Sequence, residues 1–139
     1  MSAGASLLRA VLWLLAAYHL AVGVLSVSSL GATGRFTQLL YGLSLGGRVD
    51  PAFRYAVRML GLYALALGAL LVLAARDPLG HRDVIAVVAA LQLARAGCRL
   101  AWGHDLASAF GVPRRRNAVN VALLVAEALV LVAALPRVA

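Results

Sequence analysis

The sequence contains no lysine and only five acidic residues, and these shortages limit what the chain can be. All 13 basic residues are therefore arginines, and the formal net charge at pH 7 is +8. Charged residues make up 13% of the chain, about half the share of a soluble domain, whereas 63% are hydrophobic. A soluble chain of 139 residues could not bury so much apolar surface, so the composition excludes an ordinary soluble domain.

Cysteine is equally scarce, because Cys98 is alone and no disulfide can form within the chain. Nucleic-acid binding is not expected, since no basic helix or aromatic platform accompanies the positive charge. The sequence also lacks a Ser–His–Asp arrangement with clear spacing, and only His19 lies at a depth that suits a haem ligand. We therefore favour a protein that is not an enzyme, with no metal and no resident cofactor.

What the chain does contain is four apolar runs, each of the roughly 20 residues that a bilayer-spanning helix needs. They predict an all-α protein with a single domain over 1–139, a transmembrane four-helix bundle with spans at about 7–30, 51–75, 83–102 and 117–135. Asp50 followed by Pro51 favours a helix start, because a carboxylate caps the first turn and proline already has the required φ. The short connection at 76–82 predicts antiparallel neighbours on either side of it.

The connection between the first two spans, at 31–50, is longer and contains apolar residues at helical spacing. The residues that share one face are Phe36, Leu39, Leu40 and Leu43. This pattern predicts a short interfacial helix on the membrane surface, or alternatively a lid that packs over the mouth of the bundle. One more helical turn is expected from Asp105 to Phe110.

Several polar side chains lie inside the predicted spans, where a charge costs about 2.5–3.5 kcal/mol or more on insertion scales. These residues are His19, Arg58, Gln92, Arg95, Arg99, Asn120 and Glu127. At a rise of about 1.5 Å per residue, all of them fall in the half of the membrane that faces 31–50 and 103–116. We therefore predict that they line a polar, ligand-binding pocket that opens toward those two connections.

Glu127 is the single glutamate of the chain, and Arg95 is the cation nearest to it in depth. We predict a Glu127–Arg95 ion pair, which leaves Arg58 and Arg99 to bind carbonyls, amides, water, lipid phosphate or a ligand anion. Two interpretations stay open. Either the pair fixes helix register while the other arginines extend to headgroups, or the pocket binds a polar head such as a lipid phosphate, a quinone ring or an acidic metabolite.

These features favour a small multi-pass accessory or interaction subunit whose pocket binds a polar-headed lipid, a quinone-like molecule or a partner helix. Two alternatives belong to other classes: a small proton-coupled transporter that acts as a dimer through Glu127, and a quinone-linked redox subunit. The expected partners are membrane lipids and a membrane protein or a second copy of the chain, but no nucleic acid. The expected location is the inner membrane of a bacterium.

The eleven residues 58–68 begin with an arginine, which is followed by a glycine after three residues and a second glycine after seven more. This stretch resembles the second-helix pattern of small four-helix bacterial membrane proteins of the DoxX-like and BphX-like kind. The total length, the long first connection and the tight turn at Asp77-Pro78 also look like that group. For relatives called DoxX, the resemblance implies a link to quinone-coupled sulfur oxidation. This chain has no cysteine pair, so thiol chemistry is not expected.

Overall fold

The computed structural model describes residues 3–44 and 50–135, and these residues form six α-helices and no strand. The helices are α1 (Ala3–Ser28), α2 (Leu30–Tyr41), α3 (Pro51–Arg76), α4 (Arg82–Ala101), α5 (Gly103–Phe110) and α6 (Arg114–Ala133). The all-α prediction is thereby confirmed. Four helices, α1, α3, α4 and α6, are long and apolar enough to cross a membrane, and they agree with the predicted spans to within a few residues.

Short polar side chains cap the starts of α2 and α3 and close the turn that follows α3. The Ser29 hydroxyl accepts a hydrogen bond from the N–H of Ala32 at 3.3 Å, so the chain leaves α1 and starts α2 almost at once. The Asp77 carboxylate accepts from the N–H of Gly80 at 3.0 Å and closes the tight turn between α3 and α4. The turn keeps α3 and α4 adjacent at this end of the molecule.

The start of α3 depends on the Asp50 carboxylate, which accepts from the N–H of Ala52 at 2.7 Å and of Phe53 at 3.4 Å. We expect Asp50→Ala to lower the free energy of unfolding by about 1 kcal/mol, because two N–H groups lose their acceptor. Asp50→Asn keeps a side-chain oxygen and is the matched control. Thermal unfolding in detergent measures the effect, and identical melting temperatures for all three proteins would contradict the capping role.

The long helices pack as two pairs, α1 with α3 and α4 with α6. In the first pair the backbones approach closely because glycines face each other, as small residues allow in membrane helices. A Cβ placed on Gly23 would lie 2.8 Å from the Gly61 carbonyl oxygen and 2.6 Å from the Leu65 Cγ. A Cβ on Gly68 would lie 2.8 Å from the side chain of Leu20. The glycine-bearing face of α3 is therefore fully occupied by α1.

The two pairs meet in one apolar core, which lies at the end of the molecule that holds the α3–α4 turn. It combines the first half of α1, the last turns of α3, the first half of α4 and the end of α6. Its fully buried large side chains include Leu8, Leu12, Leu71, Ile85, Val88 and Leu131. At the opposite end the pairs leave a space between them, and α2 packs there against α1 and α6. The predicted short helix in 31–50 is thus present over Leu30–Tyr41, while 45–49 lie outside the described residues.

Candidate binding pocket between the helix pairs

A cavity of about 250 Å³ lies between the two helix pairs, and α1, α2, α4 and α6 all contribute to its wall. Five leucines make up the apolar part of the wall. The polar part consists of Tyr18, Tyr41, Gln92, Arg95, Asn120 and Glu127. The structure therefore brings four of the seven predicted site residues into a single cavity, in the half of the molecule opposite the apolar core.

Glu127 and Arg95 are connected through Gln92. The Gln92 Nε2 donates a hydrogen bond to the Glu127 carboxylate, and the Gln92 Oε1 accepts one from the Arg95 Nη1 at 3.0 Å. The prediction of a direct Glu127–Arg95 ion pair is therefore wrong, because the Gln92 amide lies between the two charged groups. The reason is depth: Arg95 lies roughly 9 Å from the end of α4 and Glu127 roughly 20 Å from the start of α6, and Gln92, roughly 14 Å from the end of α4, lies between them.

Asn120 lies in the same wall, on α6, with only 5% of its surface exposed. Its Nδ2 has no hydrogen-bond partner, and among the described residues it is the single buried side-chain nitrogen or oxygen in that condition. Buried polar groups are normally paired, and an unpaired donor costs about 1–3 kcal/mol. The side-chain amide of Asn120 is therefore a donor without an acceptor in the wall of a cavity.

Two tyrosines join α2 to α1 at the edge of the cavity. The Tyr41 hydroxyl donates to the Tyr18 oxygen at 2.5 Å, which leaves the Tyr18 proton free for another acceptor. Burial raises the pKa of the Tyr41 hydroxyl above its ordinary value, and the nearby Tyr18 raises it further. Tyr41 therefore stays protonated, as its role as a donor requires. The Arg99 guanidinium lies 5.5 Å from the centre of the Tyr41 ring, a distance at which a cation attracts the ring face.

The last turn of α2 is also held by α6. The Arg116 guanidinium donates to the carbonyl of Leu39, where a positive charge complements the helix C-terminus. Gly42 follows with a φ of +72°, and a Cβ there would lie 2.8 Å from the Arg116 side chain. Through these contacts α2 acts as a lid over the cavity on the side of residues 31–50 and 103–116. The sequence predicted that the pocket opens on this side, and in the structure α2 covers it. Sequence reasoning missed Tyr18, Tyr41 and Arg116, although the position of Tyr41 beside the apolar face of 31–50 was a usable signal.

The other three predicted residues lie outside the cavity wall. Arg99 donates to the Asn117 Oδ1 at 2.8 Å, and the Asn117 Nδ2 donates to the Arg99 carbonyl at 3.0 Å, so an amide is its partner. His19 is buried, and its Nδ1 donates to the Leu15 carbonyl at 2.8 Å within α1. Arg58 is exposed on α3, because the face of α3 that packs is the glycine-bearing one against α1.

The lining leucines that are most exposed show where the cavity opens. Leu14 on α1 is 70% exposed and Leu123 on α6 is 56% exposed, so the opening lies between these two helices. In a bilayer this opening faces the lipid chains. The cavity thus combines an apolar lateral mouth with a polar interior that contains one cation, Arg95, and one carboxylate, Glu127.

Comparison with protein-family models, with curated proteins and with solved structures finds no match to this chain. The class to which it belongs is therefore defined by its own features: four helices that could span a membrane and a polar cavity between them.

Proposed function

We propose that the chain is a four-helix membrane bundle that binds a polar-headed lipophile between its two helix pairs and acts as an accessory subunit, not as an enzyme. The observation that carries the proposal is the buried Asn120 donor, which lacks an acceptor and lines a cavity of about 250 Å³. Ligand pockets characteristically combine an apolar wall with a few well-placed polar groups, and this cavity has both.

The size and position of the cavity favour a lipophile over a partner helix. Its volume of about 250 Å³ equals roughly eight water molecules at about 30 Å³ each, which is enough for a head group. The hydrocarbon tail would leave through the lateral mouth beside Leu14 and Leu123. A transmembrane partner helix would need a groove along the whole length of the bundle, whereas the apolar core closes the other end.

In this proposal the four spans lie in the inner membrane of a bacterium, and α2 lies at the membrane surface as the lid of the pocket. The four apolar helices support a membrane location, and the part-exposed apolar face of α2 supports its position at the membrane surface. Membership of the DoxX-like group is part of the same proposal, and it rests on the sequence resemblance at residues 58–68, on the long first connection and on the tight turn at Asp77-Pro78. The exposed face of α3, with Arg58, is left for lipid, for a protein partner or for a second copy of the chain.

Proton-coupled transport is a second candidate, and the position of Glu127 in the cavity wall favours it. A carrier carboxylate must be reached by both substrate and protons, and Glu127 is only half-buried. If the chain is a transporter, Glu127→Gln abolishes pH-driven uptake into liposomes while the fold survives. Uptake that is absent from the wild-type protein counts against transport and leaves the binding proposal in place.

The binding proposal predicts that a bound lipophile survives gentle extraction and disappears when the mouth is blocked. Leu123→Trp places a large ring at the mouth of the cavity. Native mass spectrometry should therefore show a protein–lipophile complex for wild type and only the free protein for the variant. Leu62→Trp on α3 is the matched control, because Leu62 is 49% exposed and Leu123 56%, and both lie roughly 15 Å into their helices. An adduct that is absent from wild type, or equal on both variants, would contradict a ligand in this cavity.

A further inference from the structure

The polar wall of the cavity restricts the chemistry of the head group, an inference that rests on the proposed binding function. We propose that the pocket selects lipophiles whose head is uncharged and carries a carbonyl oxygen, that the Asn120 Nδ2 donates to this oxygen, and that phosphate-bearing lipids are rejected.

The first argument concerns hydrogen-bond donors that have no acceptor within the protein. The Asn120 Nδ2 has no acceptor, and the Tyr18 oxygen accepts a hydrogen bond from the Tyr41 hydroxyl while its own O–H is not used in that bond. Both residues line the cavity, Asn120 from α6 and Tyr18 from α1. A ligand that supplies oxygen acceptors would satisfy the unpaired amide, whereas a purely hydrocarbon ligand would leave it unpaired.

The second argument is charge. The Arg95 guanidinium is bound by the Gln92 amide, and the same amide donates to Glu127, so the cation and the carboxylate of the cavity balance each other. Arg99 is occupied by Asn117 and lies outside the cavity wall. An anionic head would lose its hydration in a small, largely apolar space where the Glu127 carboxylate already matches the one cation, and an uncompensated buried charge is costly. A neutral head avoids this cost.

Two amphiphiles with the same oleoyl chain and glycerol unit separate these possibilities: monooleoylglycerol, which is neutral, and oleoyl lysophosphatidic acid, which adds one phosphate. Each is titrated into the delipidated full-length protein in detergent, and the melting temperature is followed by tryptophan fluorescence. A ligand that binds only the folded state raises the melting temperature in a saturable way. The neutral probe should do so at a concentration at least about tenfold lower than the phosphate probe needs, because only the phosphate probe brings an uncompensated charge into the cavity.

Two variants test the roles of the named side chains. Asn120→Leu should weaken binding of monooleoylglycerol about tenfold, and it should not lower the melting temperature of the ligand-free protein, because it removes an unpaired donor. Glu127→Gln should bring the affinity for oleoyl lysophosphatidic acid close to that for the neutral probe. An Asn120 amide with a merely structural role would instead lower ligand-free stability in Asn120→Leu and leave the affinity for monooleoylglycerol unchanged.

The outcomes distinguish this inference from the function on which it rests. The inference is overturned if wild type binds the phosphate probe as tightly as the neutral probe or more tightly. It is also overturned if Asn120→Leu binds the neutral probe as wild type does. In both cases the binding function stands. Shifts that persist in Leu123→Trp come from the detergent phase and not from the cavity. A melting-temperature shift that comes from binding in the cavity should be lost in Leu123→Trp and kept in Leu62→Trp. If neither probe produces such a shift, both the inference and the proposed function are wrong.

Discussion

Replacing Gln92 by leucine is expected to lower the free energy of unfolding by about 3 kcal/mol or more, even though leucine suits a membrane helix better than glutamine. Gln92 is the bridge between the Arg95 guanidinium and the Glu127 carboxylate. Without it, a carboxylate and a guanidinium remain in a low-dielectric space without their common partner. Unfolding in mixed micelles with increasing dodecyl sulfate, followed by the fluorescence of Trp13 and Trp102, measures the loss.

The control for this variant is Gln38→Leu, since Gln38 is exposed on α2 and the same chemical change there should have little effect. Adding Glu127→Leu to Gln92→Leu should restore much of the lost stability, because the second change removes the unpaired carboxylate. The bridging role of Gln92 would be contradicted if Gln92→Leu were as stable as wild type, or if the losses of the two single variants simply added in the double variant.

Gly23→Ala is expected to destabilise the α1–α3 pair by about 2 kcal/mol or more, although alanine is otherwise the better helix former. The new methyl group would lie 2.8 Å from the Gly61 carbonyl oxygen, which belongs to the backbone and cannot rotate away. The two helices would have to separate, and their contact runs along most of both. The melting temperature in detergent should fall accordingly.

Gly97→Ala is the matched control, because a Cβ at Gly97 in α4 has no heavy atom within 4 Å. The same substitution there should leave stability unchanged or raise it by up to about 1 kcal/mol through helix propensity. If Gly23→Ala and Gly97→Ala melt at the same temperature, the close approach of α1 and α3 does not contribute to stability.

The sequence predicts the helices of this protein well, because the physical causes are local. A bilayer requires long apolar runs, and Asp50 with Pro51 determines where α3 begins irrespective of any other helix. The pairing of the helices is not local. Hydropathy does not say that α1 packs on α3 and α4 on α6, and the glycines of α3 suggest a close contact without naming the neighbour.

The same limit explains the outcome at the candidate site. Depth along the spans placed Gln92, Asn120 and Glu127 in the same half of the predicted bundle, and the structure brings them into one cavity. Depth says nothing about which way α3 faces, so Arg58 was included although it lies on an exposed face. Nor could depth place Tyr41 next to Tyr18, because that contact exists only once α2 folds back across the end of α1.

The apolar core joins the two helix pairs at one end only, while the other end holds the cavity. If the spans lie in a bilayer as proposed, one leaflet surrounds the apolar core and the other surrounds the cavity. Lateral pressure in the leaflet beside the core meets close-packed leucine and valine, whereas the same pressure in the opposite leaflet pushes the pairs toward each other and narrows the cavity. Occupancy of the pocket should consequently depend on the lipid composition of one leaflet, with bulky-tailed lipids on that side favouring the empty state.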